Sequence, residues 1–173
     1  LDDAQLDAVN KFSDLDYRVA PTLFLEFHGS EASVAEQARA VQELAAESGG
    51  GDFQWAIKTE ERNKLWQARH DAAYAAKALR PGCKVWATDV CVPISRLAEC
   101  IGETKADLDD SFLVAPMVGH VGDGNFHLTI VFDDEDTAEL AEVERINERL
   151  VMRALSMDGT CTGEHGVGTG KLD

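Results

Sequence analysis

Basic residues are scarce: 16 lysines and arginines face 32 aspartates and glutamates, a net charge of −16. That excess repels phosphate backbones and anionic lipid surfaces, which argues against nucleic acid as a partner. Long apolar runs are missing too. No stretch approaches the roughly 20 residues needed to span a bilayer, so no transmembrane segment is expected. No basic stretch followed by an apolar one marks a signal peptide at the start. The four cysteines (Cys83, Cys91, Cys100, Cys161) form no CxxC pair, which gives neither a zinc knuckle nor a disulfide framework. Free thiols in a reducing compartment, and hence a cytoplasmic location, are the expectation. No Pro-, Gly- or Ser-rich linker, repeat or low-complexity tract divides the chain, so 1–173 reads as one domain. It opens without an initiator methionine and stops just after a glycine-rich loop, and it is read as a piece of a longer protein.

Hydrophobic residues make up 45% of the chain, enough for a packed core. "PTLFLEFHG" alternates, with Leu23, Leu25 and Phe27 on one side, and predicts a strand. Ser30 opens a helical period that ends at Gly49-Gly50-Gly51. "DFQWAIK" predicts a second strand, and Thr59 caps a long helix through "LWQARHDAAYAAKAL", closed by Pro81-Gly82. "KVWATDVCV" predicts a third strand, followed by the helix "SRLAECIGETKADL". "FLVAPMV" and "FHLTIVF" are strands flanking a tight turn, and the last helix buries Ala141, Val143, Ile146, Leu150 and Leu155. The order β-α-β-α-β-α-β-β-α lacks a dinucleotide fingerprint. It predicts an α+β sandwich, with helices on one face of a largely antiparallel sheet.

The turn lies in "GHVGDGNFH", Gly119 to His127. With Asp123-Gly124 at the centre of a two-residue type I′ loop, His120 faces His127. Opposed residues share a face with Cβ atoms roughly 4.5–5.5 Å apart, so two imidazoles converge on one ion. A one-residue slip would separate them. Two histidines are not yet a site, because a catalytic metal takes three protein ligands and keeps one position open. "GTCTGEHGVG" supplies Glu164 and His165 within a glycine run that brings backbone close to a ligand. Two histidines and a carboxylate suit Zn²⁺, Mn²⁺ or Fe²⁺. Glu164 and His165 are adjacent, so one binds metal while the other faces substrate; a neutral histidine accepts a proton near pH 7.

"GHVGDGNFH" with "GTCTGEHGVGTGK", "LWQARHDAAYAAKALRPG" and "TDVCVPISRL" resembles the C-terminal domain of FAD-linked oxidases of the D-lactate and D-2-hydroxyglutarate dehydrogenase type. The resemblance runs from about Pro21 onward. It implies a ferredoxin-like α+β cap over FAD, a cofactor held mainly by an N-terminal domain that this piece lacks, and a further C-terminal helix. It makes His120, His127 and Glu164 the ligands of a divalent metal, Zn or Mn, and His165 the catalytic base. Arg69 corresponds to an arginine that binds the substrate carboxylate. The implied reaction is oxidation of a D-2-hydroxy acid to the 2-oxo acid. The metal polarises the hydroxyl, His165 takes its proton, and hydride passes to flavin. The isolated piece would be inactive. The implied partners are the small acid, FAD and an undefined electron acceptor that could hold the protein at the inner membrane; a homodimer stays open. Hydroxyglutarate dehydrogenases carry a threonine and a lysine where this chain has Ala73 and Ala87, which shifts the expectation toward D-lactate.

Thr129, two residues beyond His127, shares its face and is a candidate for the substrate pocket. Asn125 and Asp123 are ordinary turn residues, with Asn125 also a candidate for cofactor contact. His28 and His70 read as structural, and Lys171 as a solvated lysine. Two other readings stand beside the dehydrogenase. One is a non-catalytic domain with a structural metal, which Cys161 would have to complete. The other is a metal hydrolase built on His120, His127 and Glu164.

Overall fold

The computed structural model describes residues 1–51 and 53–168; Lys171 lies outside them. Two compact units emerge: Leu1–Thr22 together with the chain from His70 onward, and Leu23–Arg69. The expected α+β class, an antiparallel sheet covered by helices, is what the first unit adopts. Its helices are α1 (Asp3–Ser13), α4 (Ala72–Ala78), α5 (Ile94–Leu108) and α6 (Thr137–Ser156); its strands are β1 (Lys84–Ala87), β2 (Val90–Cys91), β3 (Met117–His120) and β4 (Asn125–Phe132). The second unit holds α2 (Glu31–Glu47) and α3 (Thr59–His70), the latter ending one residue beyond the boundary.

β4 is the axis of the sheet. It pairs antiparallel with β1 and β2 along one edge and with β3 along the other. All eight of its residues are buried, so both faces are covered. Phe126, Leu128, Ile130 and Phe132 join Leu97, Cys100, Val143, Ile146, Leu150 and Ala154 of α5 and α6 in one core. Burying each large apolar side chain there contributes about 1.5–3 kcal/mol. The expected α6 stripe holds at Val143, Ile146 and Leu150, but it continues through Ala154 and leaves Leu155 exposed.

The alternate residues of β4 (Asn125, His127, Thr129, Val131) point to the other face. There α1 and α4 pack on each other and on the strands through Leu6, Val9, Ala72, Ala75 and Ala76. Helices therefore cover both faces, not one. The helix α1 went unforeseen, although Asp2 caps it by accepting from the Gln5 N–H at 2.8 Å and Leu6 and Val9 lie one turn apart. Asp2 also closes the outer edge of β3. Its N–H donates to the Met117 carbonyl and its carboxylate accepts the Met117 N–H.

In the second unit Ser30 caps α2 as expected, accepting from the Ser33 N–H. The alternating segments "PTLFLEFHG" and "DFQWAIK" form no regular strand among the described residues. Neither finds a ladder partner, and Leu23, Leu25, Trp55 and Ile57 stay exposed. What joins them is aromatic contact, with Phe27 and Trp55 rings 6.5 Å apart and Phe53 stacked on Trp55 at 5.2 Å. The predicted long helix breaks at Asp71 into α3 and α4.

A charge clamp joins α5 to α6. Asp107 accepts from Arg149 Nε at 2.8 and 3.0 Å and from Arg153 Nη2 at 3.2 Å. Burial would raise the Asp107 carboxyl, but the two guanidiniums outweigh it and hold it below its ordinary value. A depressed folded-state value means stability that is complete above the unfolded carboxyl's value of about 3.9 and is lost as pH falls through the folded one. Asp107→Asn is expected to cost about 1–2 kcal/mol at pH 7. In urea unfolding curves the gap from the parent should close as pH falls below about 4.

Candidate metal centre

The site is built on the β4 face turned away from the α5–α6 core. The hairpin does not have the two-residue tip that its sequence suggests. His120 pairs with Asn125, Gly119 with Phe126 and Val118 with His127. A short 3-10 turn over Val121–Asp123 and a left-handed Gly124 (φ 77°) fill a four-residue tip. The tip is pinned from outside, because Val92 N–H donates to the Gly124 carbonyl at 2.9 Å. The pairing is thus two residues away from the expected one. A shift of two preserves the side of the sheet, so His120 and His127 remain on one face as diagonal neighbours. Their ring centroids are 6.1 Å apart and nearly perpendicular.

The third strand predicted over "KVWATDVCV" is interrupted at Thr88-Asp89, yet its register runs straight through. Ala87 stands opposite Thr129 and Val90 opposite Phe126, which places Asp89 opposite His127. The interruption frees a carbonyl. Leu128 N–H donates to the Thr88 hydroxyl at 2.8 Å, and the Thr88 carbonyl lies 2.8 Å from His127 Nδ1. A carbonyl only accepts, so Nδ1 carries the proton and Nε2 presents a lone pair.

That lone pair lies 3.0 Å from Glu164 Oε1. Burial lowers the basicity of His127, outweighing the Thr88 carbonyl and the neighbouring carboxylates that would raise it. The ring is therefore neutral near pH 7, and two electron-rich atoms face each other with no hydrogen between them. A cation resolves that conflict. Two ligand atoms on a tetrahedral Zn²⁺ with bonds of about 2.0–2.1 Å are separated by about 3.3 Å. The same Glu164 oxygen is 3.4 Å from His165 Nε2 and 3.6 Å from His120 Nε2. His165 stacks flat on His127, with centroids 4.9 Å apart. The donor set fits a borderline divalent ion such as Zn²⁺ or Mn²⁺.

Asp89 is the residue that the sequence reading passed over. Its ligand atom lies within 4.8 Å of those of His127, Glu164 and His165, but its carboxylate is already saturated. It accepts from Asn125 Nδ2 (2.9 Å), Thr162 Oγ1 (3.0 Å) and the backbone N–H groups of Gly163 (2.9 Å), Glu164 (3.0 Å) and His165 (2.8 Å). Burial to 1% exposure would raise its pKa; the donors from His165, Asn125, Glu164 and Thr162 outweigh that and hold it far below the ordinary carboxylate range. An oxygen so engaged is not available to a metal. His120 stands outside this group of four, although its Nε2 approaches the same Glu164 oxygen. One signal was readable: Asp89 is the lone carboxylate in a strand rich in β-branched and apolar residues.

The remaining expected residues are spread more widely. Asn125 is buried, ties Asp89 to the Val90 carbonyl at 3.0 Å, and keeps its Oδ1 without a hydrogen-bond partner among the described residues. Thr129 is buried on the His127 face, as expected, but does not line the cavity. That cavity, about 320 Å³, is bounded by Cys91, His120, Asp123, Asn125, Gly163 and Glu164. Arg69 lies on the last turn of α3, in the second unit. Cys161 is not among the groups gathered around Glu164. Cys83, Cys91, Cys100 and Cys161 are thiols and not disulfides. No helix among the described residues is long and apolar enough to cross a membrane.

The family of FAD linked oxidases, C-terminal domain, matches residues 1–173. The chain belongs to it. Among relatives of this FAD-linked oxidase domain, a probable mitochondrial D-lactate dehydrogenase of Danio rerio is 59% identical over 171 residues, covering 99% of this chain and 34% of that protein. A mitochondrial D-lactate dehydrogenase [cytochrome] of Arabidopsis thaliana is 47% identical over 172 residues, covering 99% and 30%. The glycolate oxidase subunit GlcD of Escherichia coli K12 is 28% identical over 176 residues, covering 100% and 35%. The chain spans about a third of the length of these relatives.

Gly163 lies directly against the Asn125 amide, where an added Cβ would collide with Asn125 Nδ2 and crowd Asp89 Oδ1. Gly163→Ala is expected to lower stability by about 1–3 kcal/mol through overpacking and to weaken divalent-ion binding. Thermal unfolding with and without added Zn²⁺ measures both, and the metal-induced rise in Tm should shrink in the variant.

Proposed function

We propose that this domain is the substrate-binding half of a flavin-dependent D-2-hydroxy-acid dehydrogenase, with D-lactate or a similar small monocarboxylate as substrate. The observation that carries the reading is the single Glu164 oxygen surrounded by the ring nitrogens of His127, His120 and His165. The names of the relatives support the substrate class. The FAD-binding portion belongs to the remainder of the longer protein.

His120, His127 and Glu164 would hold the divalent metal, with Thr88 fixing the tautomer of His127. When bound, the metal supplies Lewis acidity toward the substrate hydroxyl, and FAD supplies the hydride acceptor. His165 is the base. Half-exposed, with its backbone N–H anchored to Asp89, its ring can accept the hydroxyl proton of a 2-hydroxy acid. Arg69 is assigned to the substrate carboxylate, because a guanidinium clamps a carboxylate through two parallel N–H bonds. Thr129 is assigned to support His127 from within the sheet, and Asn125, through its unpartnered Oδ1, to a donor on cofactor or substrate. Ala87 stands opposite Thr129 on the same face and, like Ala73, offers nothing to a second carboxylate; this favours D-lactate over D-2-hydroxyglutarate. Four cysteines held as thiols and not disulfides support a reducing compartment. The relatives' names favour the mitochondrion over the cytoplasm, and a cytochrome as electron acceptor.

A panel of 2-hydroxy acids on the full-length holoprotein tests this, with anaerobic flavin bleaching as the readout. D-lactate should bleach the flavin and L-lactate should not, and a chelator should slow bleaching. His165→Ala should cut the rate by about 10²–10⁴-fold, the usual worth of a general base, with FAD retained. Bleaching at the parental rate in that variant would remove His165 from the chemistry.

A further inference from the structure

We propose that Asp89 is a positioning residue: its carboxylate holds the Glu164-His165 loop in the one orientation that presents both side chains to the His120–His127 hairpin. The proposal rests on the functional reading above and names the device that the reading requires.

Consecutive residues of an extended loop point to opposite sides, and Glu164 and His165 nonetheless converge. Glu164 Oε1 and His165 Nε2 are 3.4 Å apart, and the carboxylate and the His165 ring both crowd His127. The loop achieves this by turning its backbone N–H groups inward. Those of Gly163, Glu164 and His165 all meet Asp89 Oδ2, at 2.9, 3.0 and 2.8 Å, and the Thr162 hydroxyl joins them at 3.0 Å. Successive N–H groups curled around one anion form the concavity that elsewhere binds phosphate. Here the anion is the chain's own side chain, delivered from the opposite strand.

The second oxygen serves the hairpin. Asp89 Oδ1 accepts the Asn125 amide N–H at 2.9 Å, and Asn125 pairs directly with His120. One carboxylate therefore touches the loop that carries Glu164 and His165 and the strand that carries His127. Gly163 fits the same arrangement, since any side chain there would displace Asn125 from Asp89. Asp89 is not among the residues that line the cavity, so its influence on the chemistry passes through the residues it holds.

The test uses the full-length holoprotein with Asp89→Asn and, as a milder lesion, Thr162→Val. Asp89→Asn keeps the shape but turns an NH₂ toward groups that are themselves donors. Hydrogen exchange followed by mass spectrometry should show segment 160–168 exchanging at least about tenfold faster, with β4 and α6 unchanged. Zn²⁺ affinity and kcat for the 2-hydroxy acid should fall about 10–100-fold, the usual consequence of losing such an outer partner, while KM changes little. Thr162→Val should move every readout in the same direction by less, and it decides the matter if Asp89→Asn does not fold. Parental exchange in segment 160–168 of a folded variant overturns the proposal, as does a global rise in exchange or a loss confined to KM. If the parent protein binds no divalent ion and oxidises no 2-hydroxy acid, the functional reading fails. The exchange measurement then still decides whether Asp89 holds the loop.

Discussion

A carboxylate taken out of water costs several kcal/mol unless hydrogen bonds replace its lost hydration, and the Asp89 carboxylate is almost wholly buried in the sheet. The chain meets that cost with five donors drawn from two distant segments. Everything at the site follows from this arrangement. Asn125 is fixed because its amide is spent on Asp89 and Val90, and the glycine-rich loop is ordered because its N–H groups have an anion to close upon. The opposition of Glu164 and His127 is tolerable because the loop has no other place to go.

β4 serves two purposes at once, and its period-2 alternation keeps them apart. One set of side chains is continuous with the α5–α6 core, so the strand is held by apolar packing that needs nothing from the chemistry. The other set bears Asn125, His127 and Thr129. Asp89 and Ala87 stand across from two of these, on a neighbouring strand whose ladder yields one carbonyl to an imidazole. A rigid central strand suits a site in which a fraction of an ångström separates ligation from repulsion.

Much of this was legible in the residues. Spacing placed His120 and His127 on one face, a glycine-rich segment drew attention to Glu164 and His165, and strong periodicity located α2, α5, α6 and β4. The tip length was not legible. Asp-Gly favours a two-residue turn, but the carbonyl of Gly124 is claimed by Val92, a residue distant in sequence, and the turn lengthened to meet it. The segments around Leu23 and Trp55 alternate as strands do, yet a strand exists only with a partner, and alternation says nothing about partners. Asp89 was overlooked for a related reason. Its significance lies wholly in five donors, four of which lie more than 70 residues downstream.

That separation has a bearing on how the molecule comes into being. Closing a loop of some 75 residues is entropically costly and slow relative to hairpin formation, so β3 and β4 can pair, and α5 and α6 can dock, well before Gly163 arrives. Until then Asp89 must stay hydrated, and the strand segment bearing it cannot seat fully in the sheet. The last turn of α6 delivers Thr160 to Cys91, with N–H to carbonyl bonds in both directions, and the loop then closes over the waiting charge. Completion of the centre waits on that closure, and a chain damaged in this loop would carry an unsatisfied buried anion. Such a flaw exposes the defective molecule to unfolding and clearance, so the same carboxylate that orders the site also serves as an internal check that the site was made.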